Sequence, residues 1–307
     1  MNGKRTDRAY RFKADDMSAE AAIRRVALSQ IDAAIAEIDR GALSQKDIVH
    51  DVRKRCKKVR ALVGLVKTEF ADYANENAAF RELAGTLAGV RDCDVLIETC
   101  DLVSAHCRRE EDRMAVAAIR AQLMRDRHIV ADDGALPEKL AHFRHACVKA
   151  RDRVQDWRVP GKGFDAFAKG LRSTLKRGRK AMAAARKDPC ADTMHEWRKQ
   201  VKYHWYHARL LRGIWTGPME AHIEAANVLG ERLGDHHDLA VLRQTLKERP
   251  DHYGDRDAVR HVMKLVANRE RDITKTIFHQ GALLYAERPE ALVSRWSAYW
   301  TLWRGEG

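Results

Sequence analysis

The chain carries one passage twice, the copies starting at residues 50 and 195, and any fold it adopts has to house both. His50-Asp51-Val52-Arg53-Lys54-Arg55-Cys56-Lys57 returns as His195-Glu196-Trp197-Arg198-Lys199-Gln200-Val201-Lys202. A second pair of signatures follows: Leu87-Ala88-Gly89-Val90-Arg91-Asp92, then Leu233-Gly234-Asp235-His236-His237-Asp238. From His to Asp is 42 residues in the first copy (50 to 92) and 43 in the second (195 to 238). A repeat that preserves both wording and spacing implies two copies of one structural unit. Whatever the basic residues do, they are expected to do it from two facing halves.

Periodicity is helical almost throughout. Ile23, Val26, Ala27, Gln30, Ile31, Ala34, Ile35 and Ile38 form a 3.6-residue stripe that Gly41 ends. Ser44 to Asp47 resembles a capping box with Asp for Glu, opening a helix expected to reach about Phe70. Helical patterns follow near 75–87, 92–105, 110–130 and 138–156, then near 163–187, 193–213, 217–233, 237–248, 255–285 and 289–303. Trp157 to Gly163, with one proline and two glycines, reads as the linker. No alternating strand pattern stands out. The expected fold is all-α: two helical bundles with an internal repeat, spanning residues 15–157 and 162–304.

On each repeated helix one side is apolar and the other cationic. Val52, Cys56, Val59, Val63, Val66 and Phe70 oppose His50, Arg53, Lys54, Lys57 and Arg60. In the second copy Trp197, Val201, His204 and Ala208 oppose His195, Arg198, Lys199, Lys202, Tyr206 and Arg209. The helix before it sets Phe164, Phe167, Leu171, Leu175 and Met182 against Lys169, Arg172, Lys176, Arg179 and Arg186. Like charges at helical spacing repel by about 0.2–0.5 kcal/mol per pair. Cationic faces nearly free of acids, in a chain of net charge +13, therefore point to a polyanionic partner that relieves the repulsion. A solvated basic face is the blander reading of the same residues.

These residues resemble the CHAD family, named for a conserved histidine in an α-helical domain. The resemblance rests on His50-x-x-Arg53-x-x-x-Lys57-Lys58-x-Arg60, on His195-x-x-Arg198-x-x-x-Lys202, and on the elements ending in Asp92 and Asp238. It runs from about residue 15 to 303. It implies two pseudo-symmetric bundles with a basic channel between them that binds inorganic polyphosphate; orthophosphate or sulfate would occupy the same positions in crystals. Carried over by position, it makes Arg53, Lys57, Lys58 and Arg60 anion ligands in the first half and Arg198, Lys199 and Lys202 in the second. Arg24, Arg25, Arg172, Lys176 and Arg179 are candidates on the preceding helices. His50 and His195 could donate to a phosphate, or serve as local hydrogen-bonding groups. Where the first copy has Arg60 the second has Trp205, so part of that cationic strip is missing or is supplied by Arg209. Asp92 and Asp238 read as helix caps or arginine-orienting groups, and Gly234 as a helix end.

Other readings use some of the same residues. His50-Asp51 and His236-His237-Asp238 superficially supply the ligands of an HD-type metal-dependent phosphohydrolase, but Arg53, Lys57 and Lys58 would repel the metal. A nucleic-acid binder is allowed by the charge, yet no helix-turn-helix, RRM or zinc-finger pattern is present, and the aromatic residues fall mostly on apolar stripes. The CYTH triphosphatase domain attached to some CHAD proteins uses an ExExK strand that this sequence lacks. The expectation is thus a non-enzymatic protein with no cofactor and no metal. The six cysteines form no CxxC pair and read as reduced core fillers. The N-terminus lacks the apolar segment of a secretory signal, and no apolar run reaches membrane-spanning length. The chain is expected in the cytoplasm, with polyphosphate granules as a candidate location.

Overall fold

A computed structural model describes residues 9–41, 44–87, 89–131 and 135–305, with all their side chains except those of 45, 89–92 and 128–131. Among the described residues the regular structure is helical. The helices are α1 (Ala19–Arg40), α2 (Gln45–Leu65), α3 (Tyr73–Gly85), α4 (Gly89–Ser104), α5 (Glu110–Ala131) and α6 (Leu136–Val154), then α7 (Asp165–Lys187), α8 (Ala191–Leu210), α9 (Thr216–Glu248), the single turn α10 (Pro250–Tyr253), α11 (Arg256–Leu284) and α12 (Pro289–Arg304). A 3-10 turn, Arg212–Ile214, joins α8 to α9.

Local chemistry sets several helix ends, those at Gly41 and Ser44 as expected. Ser18 accepts from the Ala21 amide at the start of α1, and Gly41 ends that helix with φ 55°. Ser44 accepts from the Asp47 amide at 3.2 Å while its own hydroxyl donates to the Asp47 carboxylate at 2.7 Å. Two expectations need correction. First, α2 stops at Leu65, not near Phe70; residues 66–69 are turns, and Phe70 is still buried, against Trp157 at 5.1 Å. Second, α9 runs unbroken through Gly234 and Asp238. Gly234 is therefore no helix end, and Asp238, in mid-helix, cannot be an N-cap. Asp92 lies in the first turn of α4, and its side chain is outside those described.

The order of packing recurs along the chain. α1 lies on α2 as α7 lies on α8; α3 and α4 follow α2 as the single α9 follows α8; α4 meets α5 as α9 meets α11; α6 returns to α1 as α12 returns to α7. Between the halves, α2 touches α8, α4 touches α9 and α5 touches α11, so each of these elements meets its own counterpart. One buried apolar core runs through both halves. Phe12, stacked on Phe167 at 4.6 Å, and Trp300, 5.4 Å from Phe167, tie the N-terminal segment to α7 and α12.

Candidate anion-binding site

The two repeated helices meet at their C-terminal halves. His207 on α8 donates from Nε2 to the Ala61 carbonyl of α2 at 2.9 Å; a carbonyl only accepts, so this nitrogen carries the proton. Burial pushes the imidazole down to about 4, and it is neutral. Arg60 donates from Nε to Asn77 Oδ1 at 3.1 Å, and its guanidinium reaches the Tyr203 hydroxyl of α8 at 3.5 Å. Tyr10 closes the seam. Its hydroxyl donates to the Lys58 carbonyl at 3.0 Å, and its ring lies 5.5 Å from both the Lys58 ammonium and the Arg209 guanidinium. Lys58 and Arg209 are both buried here. Lys57 is exposed beside the seam, near enough that its charge acts on Lys202 of the other half.

On the second half, Arg198 and Lys202 lie along α9 where it presents glycine. A β-carbon on Gly230 would come within 2.8 Å of Lys202 Cδ, and one on Gly234 within 3.3 Å of an Arg198 terminal nitrogen. Lys202 Nζ sits 4.0 Å from the centre of the Trp205 ring, and the Arg209 guanidinium 4.5 Å from it. Burial first, then the charge of Arg198, pulls the Lys202 ammonium down to about 8. The Nε of Arg198 is buried with no hydrogen-bond partner, as is that of Arg269 on α11. Both guanidinium charges act on Asp235, whose carboxyl is nonetheless raised by burial. His195 and His237 stand 4.7 Å apart, and each is lowered chiefly by burial, His237 to about 4. Lys199 pairs with Glu196 of its own helix.

The first half uses its cations differently. Arg53 donates to the Ala84 carbonyl at 2.7 Å, in the last turn of α3. The preceding-helix candidates are engaged by other groups of the chain, Lys176 and Arg179 at its surface. Arg24 holds the Trp157 carbonyl of the linker through Nε at 2.8 Å and pairs with Glu20. Arg25 pairs with Asp16 at 2.6 Å. Lys176 pairs with Glu290 at 2.6 Å, Arg172 acts on the same carboxylate, and Arg179 donates to the Tyr285 carbonyl at 2.8 Å. These three therefore face α12 and the loop before it. The α7 cation that faces the seam is Arg177, whose charge acts on Lys67, Glu196 and His207. Arg177 and Arg269 are not among the candidates that the sequence offers. Arg177 is displaced from the Arg172–Lys176–Arg179 stripe by helical phase, a usable signal; Arg269 lies outside both copies, and only the tertiary arrangement brings it in.

The arrangement offers guanidinium and ammonium groups from both repeats at one seam, with acids interspersed at Glu231 and Asp235. Such groups suit the non-bridging oxygens of an oxyanion. Among the described residues no cluster of three or more His, Cys, Asp or Glu side chains is arranged to hold a metal ion. No helix among the described residues is long and apolar enough to cross a membrane.

Comparison with known proteins agrees with this architecture. The crystal structure of the CHAD domain from the plant Ricinus communis superposes with a TM-score of 0.61 at 18% identity, covering 91% of this chain and 96% of that one. At that identity the likeness speaks for the fold alone. No curated protein matches the chain. The family model of the CHAD domain matches residues 25–247, well over half of the sequence and including both copies of the repeated passage, and the chain belongs to the CHAD domain family.

Proposed function

We propose that the chain is a non-enzymatic binder of inorganic polyphosphate, held in a basic groove between the two halves. The observation that carries this reading is the convergence of the repeated helices: Lys57 of one copy and Lys202 of the other lie within electrostatic reach, and like charges so placed disfavour one another. A polymer with about one charge per phosphate relieves that repulsion, and Arg198, whose charge also acts on Lys202, adds a guanidinium to the same place. Membership of the CHAD family supports the same reading. The ligand set we favour is Lys57, Arg198, Lys202, Arg269 and Arg177, with Arg53 and Arg60 at the edge of the groove and His50 and His195 as further donors. Arg24, Arg25, Lys176 and Arg179 serve the fold first. A cytoplasmic location, at polyphosphate granules where these exist, follows from the same proposal.

The test is a charge reversal, R53E/K57E/R198E/K202E, assayed against long-chain polyphosphate. Binding is expected to vanish while far-ultraviolet circular dichroism keeps its helical amplitude; normal binding by a folded variant would overturn the assignment. Repeating the assay with added divalent metal, and following phosphate release, separates this reading from a metal-dependent phosphohydrolase.

A further inference from the structure

Trp205 stands where the first copy has Arg60, so the two halves are not chemically equivalent. Its ring lies under the Lys202 ammonium at 4.0 Å. The opposite wall is Gly230, where a β-carbon would meet Lys202 Cδ at 2.8 Å. The indole and the helix backbone both crowd the lysine stem. The attraction of the ring for the ammonium competes with the loss of the water that the ammonium needs, and burial with the neighbouring cations tips the balance. We infer that Trp205 clamps Lys202 so that a polyanion engages the second half of the groove together with a proton from solvent. The inference rests on the polyanion reading above.

The charges around Lys202 favour this exchange. Arg198 and Arg209 of its own helix and Lys57 of α2 repel its ammonium; Glu231 of α9 opposes them, and α7 brings Arg177 to Glu196 and His207 on the same helix. Burial first, then three cations against one acid, bring the Lys202 ammonium down to about 8. Phosphate oxygens invert that balance, because an adjacent negative charge favours the ammonium form. If the bound lysine returns to its ordinary range near 10.4, linkage makes the affinity fall about tenfold between pH 7 and pH 9, with uptake of about half a proton at pH 8. His195 and His237, each lowered chiefly by burial, are common to the wild type and both variants, so any proton they take up cancels in the comparison.

The measurement is isothermal titration calorimetry of the full chain with long-chain polyphosphate at pH 8, in two buffers of different ionisation enthalpy, with affinities at pH 7 and pH 9. The wild type is expected to take up about half a proton, and W205A and K202R well under half of that amount, with pH slopes flattened below about threefold. Titration of the polymer itself is common to all three proteins and cancels. Wild-type uptake in both variants would overturn the inference. A wild type that binds without uptake sinks the inference alone; one that does not bind at pH 7 sinks the polyanion reading as well. Should W205A fail to fold, the ligand-free wild type decides. Its Lys202 ε-carbon, assigned by its absence in K202R, should titrate near pH 8, and a midpoint above pH 10 would refute the clamp.

Discussion

Gly170 sits where α7 crosses the end of α2, and a β-carbon there would fall inside the carbonyl oxygen of Leu65. The obstacle is backbone, so it cannot rotate away; the helices must move apart. G170A is expected to lose about 3 kcal/mol, in the upper range for overpacking, seen as a fall of roughly 5–10 °C in thermal midpoint. Gly85 is the control, because a β-carbon there would meet nothing within 4 Å. G85A should be neutral or gain up to about 1 kcal/mol from helix propensity. Neither role is legible in the sequence, where both read as glycines in helical patterns. The same holds for the arginines. The cationic stripes of α2 and α8 are legible because their partners are a few residues away on one helix. That Arg24 is committed to the Trp157 carbonyl, or that Arg177 and not Arg179 turns to the seam, depends on contacts more than a hundred residues distant or on how α7 is rotated in the bundle.

α8 carries the candidate cations of the second half on one face and buried histidines on the other. His204 and His207 are both fully buried, and each has its protonation disfavoured chiefly by that burial. His222 of α9, bonded to His204 at 2.7 Å between Nε2 atoms, is likewise pushed down to about 4. In the unfolded chain these rings titrate near 6.5, so between about pH 6.5 and 4 the unfolded state binds more protons than the folded one. Stability is therefore full above pH 6.5 and is lost as pH falls toward 4. Thermal midpoints measured from pH 7.5 down to pH 4.5 should fall through this window, and H207Q, whose amide can still donate to Ala61, should fall less steeply. Helix existence is readable from the apolar stripes and capping residues, and the match is close for α1, α5, α7, α11 and α12. The failures have physical causes. Gly234 reads as a terminus, but Arg198 lies across it and the bundle carries α9 straight through; Phe70 prolongs an apolar stripe, yet reaches the core from a turn.

At the scale of the whole molecule, the proposed reading makes the number of bound phosphates the decisive variable, because cations of both halves would have to be engaged. Orthophosphate can engage one cluster of cations, whereas a chain long enough to reach from Lys57 to Arg198 and Arg269 makes the second contact intramolecular. An effective concentration in the millimolar range for such a tether raises affinity by about 10²–10⁴ over either contact alone. Affinity should therefore climb steeply with chain length and then level off once both halves are filled. Because the contacts are between charges, all affinities should weaken between about 50 and 500 mM salt, the polymer most, since it engages the most cations. Duplex DNA at matched phosphate concentration is the discriminating competitor. Its charges sit on a stiff, wide rod, whereas polyphosphate is a thin flexible chain, so the duplex should displace the polymer only at low salt. Tripolyphosphate bound as tightly as long chains would mean that one half suffices, and the duplicated architecture would need another explanation.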